Sequence, residues 1–181
     1  MSKELRMQEL FFEEPSKHWH FEEILKTAKI SRPQAALWLK RFVKGRLVIR
    51  IKRKGDQPYY TANSESPSYR IRKRLFSLIQ LEKLGFLSHL AGLPKAQTVI
   101  LFGSFSRWDW HKGSDIDIFI YGKTEGFDYE KYRHTLHRPL EIFSCSSKEE
   151  LQKFKPAFLR NVIEGYLVKG TIDFIEGKND V

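Results

Sequence analysis

The sequence predicts an α+β chain in two parts. A small helical module ending in a hairpin comes first, and a small mixed β-sheet backed by helices follows. Three observations carry this. Residues 21–61 read as two amphipathic helices followed by two short strand-like runs. Residues 62–68 (Ala-Asn-Ser-Glu-Ser-Pro-Ser) are small, polar and proline-bearing, the composition of a linker. From 69 to 181, helical and strand-like patterns alternate. The expected domains are 1–66 and 67–181, joined at about 62–69.

Taken in order, Met1–Glu14 reads as a short first helix whose Leu5, Leu10 and Phe11 pack back on the module. His18, Trp19 and His20 read as packing and surface residues, not ligands. Phe21, Ile24, Leu25 and Ala28 have helical spacing. Ile30-Ser31 breaks the pattern, Ser31 serves as N-cap, and Pro33 is tolerated in a first helical turn. The helix from Arg32 to about Lys44 buries Ala35, Trp38, Leu39 and Phe42, and Gly45 ends it in the left-handed conformation common at that position. Runs at 47–51 and 58–61 read as strands flanking the basic turn Lys52-Arg53-Lys54-Gly55-Asp56.

This order over residues 16–63 resembles the winged helix-turn-helix modules of prokaryotic regulators. Such modules present the start of the second helix to the major groove. The resemblance implies Ser31, Arg32 and Gln34 at base edges, Lys40, Arg41 and Lys44 further along, and Lys52, Arg53 and Lys54 on backbone or minor groove. The charge agrees. Residues 40–54 hold eight basic and no acidic residues, and residues 1–66 carry a net +6 of the chain's +10. A solvated basic surface, or a module that binds protein or a second copy of itself, is the competing reading.

In the second part, Tyr69–Leu90 runs helical, with Ile71, Leu75, Leu78, Ile79 and Phe86 on an apolar side and breaks at Gly85 and at Gly92-Leu93-Pro94. Its first turns carry Arg70, Arg72, Lys73 and Arg74, the wrong sign for the helix dipole, which leaves a nucleic acid, a nucleotide or a plain solvated end as explanations. Thr98–Phe102 reads as a strand, Gly103 to about Trp110 as a turn with a short helix, and Asp115–Tyr121 as a second strand. Side chains alternate along a strand, so Asp115 and Asp117 share one face, about 7 Å apart, while Ile116, Ile118 and Ile120 face the core. Two carboxylates on one face repel unless a cation lies there, and oxygen ligands suit Mg²⁺. Gly103 lets backbone approach a ligand, and N–H groups after it suit phosphate. Phe127–Leu136 reads as a helix, and Leu140–Phe143 as a third strand on which Glu141 faces away from Leu140 and Ile142. From Lys148 the chain turns helical, with Phe158, Val162, Ile163 and Tyr166 packing under the sheet.

An apolar strand, Gly103-Ser104, Arg107, then Ser114-Asp115-x-Asp117 opening the next strand resembles the signature of minimal nucleotidyltransferases of the DNA polymerase β superfamily. The family carries Gly after the basic residue, and this chain carries Trp108. The resemblance implies transfer of a nucleoside monophosphate from an NTP to a hydroxyl on protein, RNA or a small molecule. Gly103, Ser104 and Ser114 would meet the triphosphate, and Asp115 and Asp117 would bind Mg²⁺ or Mn²⁺. Glu141 would supply the superfamily's third carboxylate, as catalytic group and metal ligand, or be a surface residue. Arg107 either counters triphosphate charge or pairs with Asp109. The segment 165–170 resembles the closing strand of such domains.

The bulk composition bounds the rest. The 181 residues, 41% hydrophobic with 14 Phe, suffice for packed cores. The single cysteine, Cys145, excludes an internal disulfide and fits a buried residue in a reducing cytoplasm. Charges throughout Met1–Glu14 argue against a secretory leader, and no apolar run is long enough for a membrane helix. Two alternatives to the enzyme stand. One is a DNA-binding transcription regulator whose second half senses nucleotide. The other is an antitoxin-like protein that modifies or masks a small helical toxin. Nucleotide and DNA are the expected partners, and a homodimer is compatible with both.

Overall fold

A computed structural model describes residues 2–173 and divides the chain into two compact units. The first holds Met1–Lys73 together with Trp110–Lys112, and the second holds Arg74–Asp109 and the chain from Gly113 onward.

The first unit runs α1 (Lys3–Glu13), β1 (Trp19–His20), α2 (Phe21–Ala28), α3 (Arg32–Lys44), β2 (Val48–Ile51) and β3 (Tyr59–Ala62). The strands form an antiparallel sheet in the order β1-β3-β2, with Arg50 opposite Tyr60 and Trp19 opposite Tyr60 on the other side. Sequence reading gave the β2–β3 hairpin and missed β1, because two residues are too few for a periodicity. Met7, Phe11, Phe12, Trp19, Ile24, Ala35, Leu39, Phe42 and Leu47 fill the core. Leu5 and Leu10 are only partly covered, as is Trp38 on α3.

Helix α3 ends differently from expectation. Gly45 has φ −80°, and Arg46 takes the left-handed conformation, φ +55°. The reason is a Schellman closure: Leu47 N–H donates to Phe42 O (2.8 Å) and Arg46 N–H to Val43 O (3.1 Å). That pattern places the left-handed residue one position beyond Gly45.

Helix α4 (Pro67–Lys83) follows after the short connection 63–66, and the two units divide inside it, after Lys73. Lys73, expected in an exposed basic cluster, is buried at 1% exposure. Its ammonium donates to the Trp110 carbonyl and lies 4.5 Å from the Trp110 ring centroid. Trp110 also meets Phe12 edge-on at 6.4 Å, and Lys112 N–H donates to Glu13 O at 2.9 Å. The buried side of α4 is Tyr69, Lys73, Phe76, Ser77 and Leu81. The side expected to pack is the exposed one: Ile71, Leu75 and Ile79 lie open.

The second unit continues with α5 (Phe86–Ala91), β4 (Ala96–Phe102), α6 (Gly103–Ser106), β5 (Ile116–Gly122), α7 (Tyr129–Leu136), β6 (Leu140–Cys145), α8 (Lys148–Leu151), α9 (Pro156–Ile163) and β7 (Tyr166–Lys169). Its sheet has the order β6-β5-β4-β7, with β5 and β6 parallel across the α7 crossover and the other pairs antiparallel. Ile116, Ile118 and Ile120 are fully buried on one face, as the alternation requires. On the other face Ile100, Phe102, Phe119, Cys145, Leu151 and Val162 form a core with Phe143, Phe154 and Phe158 packed against it. Ile163 and Tyr166, expected under the sheet, are 41% and 38% exposed. Tyr166 lies on β7, an edge strand that pairs only with β4 among the described residues.

Candidate active site

The site forms where β4 runs into α6 beside the start of β5. Along these strands the register sets Phe102 opposite Asp117 and Asp117 opposite Glu141. Directly opposed residues share a face of the sheet, so Phe102, Asp117 and Glu141 form one cross-strand row. The next row is Ile100, Phe119 and Phe143, which belongs to the aromatic core. The carboxylates therefore stand at the end of the sheet, backed by a packed apolar layer.

Gly103 explains itself at this point. Its φ is +69°, and a Cβ added there would overlap Asp117 Oδ2. Only glycine combines that backbone with a carboxylate lying directly against it. Ser106 Oγ donates to Gly103 O (3.0 Å) and Arg107 N–H to Ser104 O (3.1 Å), closing the turn. Ser77 of α4 donates to Phe105 O at 3.1 Å and pins the turn from behind. Ser104 is half-buried and Ser114 buried.

The electrostatics follow from crowding. Asp117 is raised to about 6, first by burial, then by the charges of Glu141 and Asp115, while the Arg107 guanidinium works against the rise. Three carboxylates repelling one another are the donor chemistry that suits a hard divalent cation. Among the described residues, however, no three of His, Cys, Asp or Glu gather into a metal cage. Asp115, Asp117 and Glu141 share one region of the sheet without closing on a single point.

Arg107 pairs with Asp109, one of its two expected roles. Nε and Nη2 donate to the two Asp109 oxygens at 3.2 and 3.0 Å, and Nη1 donates to Asn161 Oδ1 at 2.8 Å. Its charge still reaches Asp117. Sequence reading missed two residues here. Asn161 on α9 holds Arg107, and Arg138 donates to Ser114 O (3.3 Å) with its guanidinium 5.0 Å from the Phe105 ring centroid. Neither belongs to a local motif, and only the fold brings them in.

The residues expected at DNA lie in the first unit and divide into two groups. Several have local partners. Gln34 Oε1 accepts from Ser31 N–H and Oγ–H at 3.4 and 3.1 Å, Arg32 pairs with Glu22 at 2.8 Å, and Arg41 pairs with Glu4 at 3.4 Å. Lys40, Lys44, Lys52, Arg53 and Lys54 are exposed and form no ion pair among the described residues.

Comparison with known families bears on the second unit. Residues 87–171 match the polymerase beta nucleotidyltransferase family. That match supports a nucleotidyltransferase domain there, and nucleotidyl transfer as its general activity. Gly103, Ser104, Arg107, Ser114, Asp115, Asp117 and Glu141 all fall inside the matched residues. No curated protein and no solved structure matched the chain. No described helix is long and apolar enough to cross a membrane.

Proposed function

We propose that the chain is a Mg²⁺-dependent nucleotidyltransferase that moves a nucleoside monophosphate from an NTP to an acceptor hydroxyl. The single observation that carries this is the meeting of the Gly103 turn with Asp117, in register with Glu141. A glycine turn and the Asp117–Glu141 carboxylates occupy one place. The backbone N–H groups after Gly103 and the Ser104 hydroxyl would hold the β- and γ-phosphates. Arg107, held by Asp109 and Asn161, would present its remaining N–H groups and its charge to the triphosphate. Asp115, Asp117 and Glu141 would hold the divalent ion, which when bound supplies Lewis-acid stabilisation of charge on the phosphates. The acceptor oxygen bonds to the α-phosphorus, the α–β bridging P–O bond breaks, the acceptor proton passes to solvent or to the carboxylate row, and pyrophosphate leaves.

The first unit we read as a winged helix-turn-helix that contacts DNA. The order α1-β1-α2-α3-β2-β3 with a three-stranded sheet supports it. So does the row of exposed, unpaired cations on α3 and on the β2–β3 turn, which suits a phosphate backbone.

The test is incubation of the protein with each α-labelled NTP and Mg²⁺, alone, with total tRNA and with cell lysate. An Asp115→Asn, Asp117→Asn double variant runs alongside. Label moving to protein, RNA or a small molecule in wild type only is the expected result. If label stays on NTP in every reaction, transfer is wrong. If the double variant still binds DNA and regulates as wild type does, the nucleotide-sensing regulator takes its place.

A further inference from the structure

Helix α4 is apolar on two opposite sides. At 3.6 residues per turn, Tyr69, Lys73, Phe76, Ser77 and Leu81 fall on one side, and these are the buried ones. Ile71, Leu75, Leu78 and Ile79 fall on the other. There Ile71 is 60% exposed, Leu75 52% and Ile79 49%. Three large aliphatic side chains, Ile71, Leu75 and Ile79, in one line on solvent are more than scattered surface residues.

A second observation concerns charge on the same helix. Arg70, Arg72 and Arg74 crowd its first turns, with no acidic residue in the first turn, so they oppose the helix's own dipole. Arg72 has no ion-pair partner among the described residues. Glu82, near the other end, lies on the same side as Leu75, and one of its oxygens accepts from Ser88 Oγ at 3.1 Å. One face thus carries an apolar centre, a positive group at its start and a negative group at its end. Such a face is complementary to itself when reversed.

We infer that this face of α4 is the docking surface for the α4 of a second copy of the chain, running antiparallel. In that arrangement Leu75 meets the partner's Ile79, and Arg72 meets the partner's Glu82. Each basic first turn then lies beside the negative C-terminal end of the opposite helix. A parallel pairing would set the two arginine clusters together, and a purely apolar partner would leave Arg72 uncompensated.

The test is sedimentation of the full chain over a hundredfold concentration range, at low and moderate salt. Wild type is expected to dimerise. Leu75→Glu raises the dimer dissociation constant about 100-fold, since a two-fold interface loses each buried leucine twice. Its far-UV spectrum stays that of wild type, because Leu75 is exposed in the single chain, while its melting temperature loses the concentration dependence of a dimer. Arg72→Glu and Glu82→Arg each weaken the dimer, and the two together restore it. Wild type that stays monomeric throughout overturns the inference. So does a dimer that Leu75→Glu leaves intact. Failure of the double reversal overturns the antiparallel register.

Discussion

Asp117→Asn should make the protein more stable at neutral pH while destroying its site. Asp117 is raised from 3.8 to about 6 by burial and by Glu141 and Asp115. A group whose folded value lies above its unfolded one binds more protons when folded, so stability falls as pH climbs through that interval. Below about pH 3.8 the carboxyl is protonated in both states and costs nothing. Above about pH 6 it is charged in both, and the full cost of ionising it in the fold is present. One unit is worth about 1.4 kcal/mol, which gives roughly 3 kcal/mol, or about 2 after discounting for screening at the exposed Glu141. Asparagine keeps the size and never ionises. Urea denaturation of wild type and Asp117→Asn at pH 4 and pH 8 isolates the charge from any other effect of the substitution. The variant's advantage should grow by about 2–3 kcal/mol between the two pH values. Part of the gain should shrink in high salt, where Glu141 and Asp115 are screened. A difference between the two proteins that does not change with pH would refute the reasoning.

Three further outcomes follow from the geometry. Gly103→Ala meets both a positive φ and the Asp117 carboxylate, so it should cost about 1–3 kcal/mol in denaturation and abolish NTP binding by calorimetry. Replacing Lys52, Arg53 and Lys54 by Ala should weaken DNA binding and flatten the slope of log affinity against log salt by up to about 3, with the melting temperature unchanged. His89 Nε2 accepts from Asp128 N–H at 3.2 Å, and burial followed by the nearby Lys131 lowers its pKa below 6.5. Its contribution is therefore intact above pH 6.5 and lost as pH falls through the lowered value. Between pH 7.5 and 5, wild type should lose more thermal stability than His89→Gln.

Much of the site was legible because its parts are short and local. Gly103, Ser104, Arg107, Asp115 and Asp117 lie within fifteen residues, and strand alternation alone sets Ile116, Ile118 and Ile120 against the two aspartates. Glu141 follows from the parallel β5–β6 register, which sequence order after a crossover helix suggests. Asn161 and Arg138 were not legible, since a hydrogen bond spanning 54 residues leaves no local trace. Trp110 was hidden in the same way. Nothing near it in sequence shows that it packs with Phe12 and Lys73. The misreading of α4 has a different cause. An apolar stripe shows which residues share a side but not which side is covered, and Tyr69, Phe76 and Leu81 outweighed Ile71, Leu75 and Ile79. The left-handed residue after α3 moved from Gly45 to Arg46 because hydrogen-bond closure decided the position over residue preference.

The central claim is that the Gly103 turn and the carboxylate row make one nucleotide site. Calorimetric titration of a non-hydrolysable NTP in Mg²⁺ tests it most directly, on wild type, Gly103→Ala and the Asp115→Asn, Asp117→Asn variant. Binding by wild type that disappears without Mg²⁺ and in both variants is the predicted result. Binding that survives both sets of substitutions would place the nucleotide elsewhere and contradict the account.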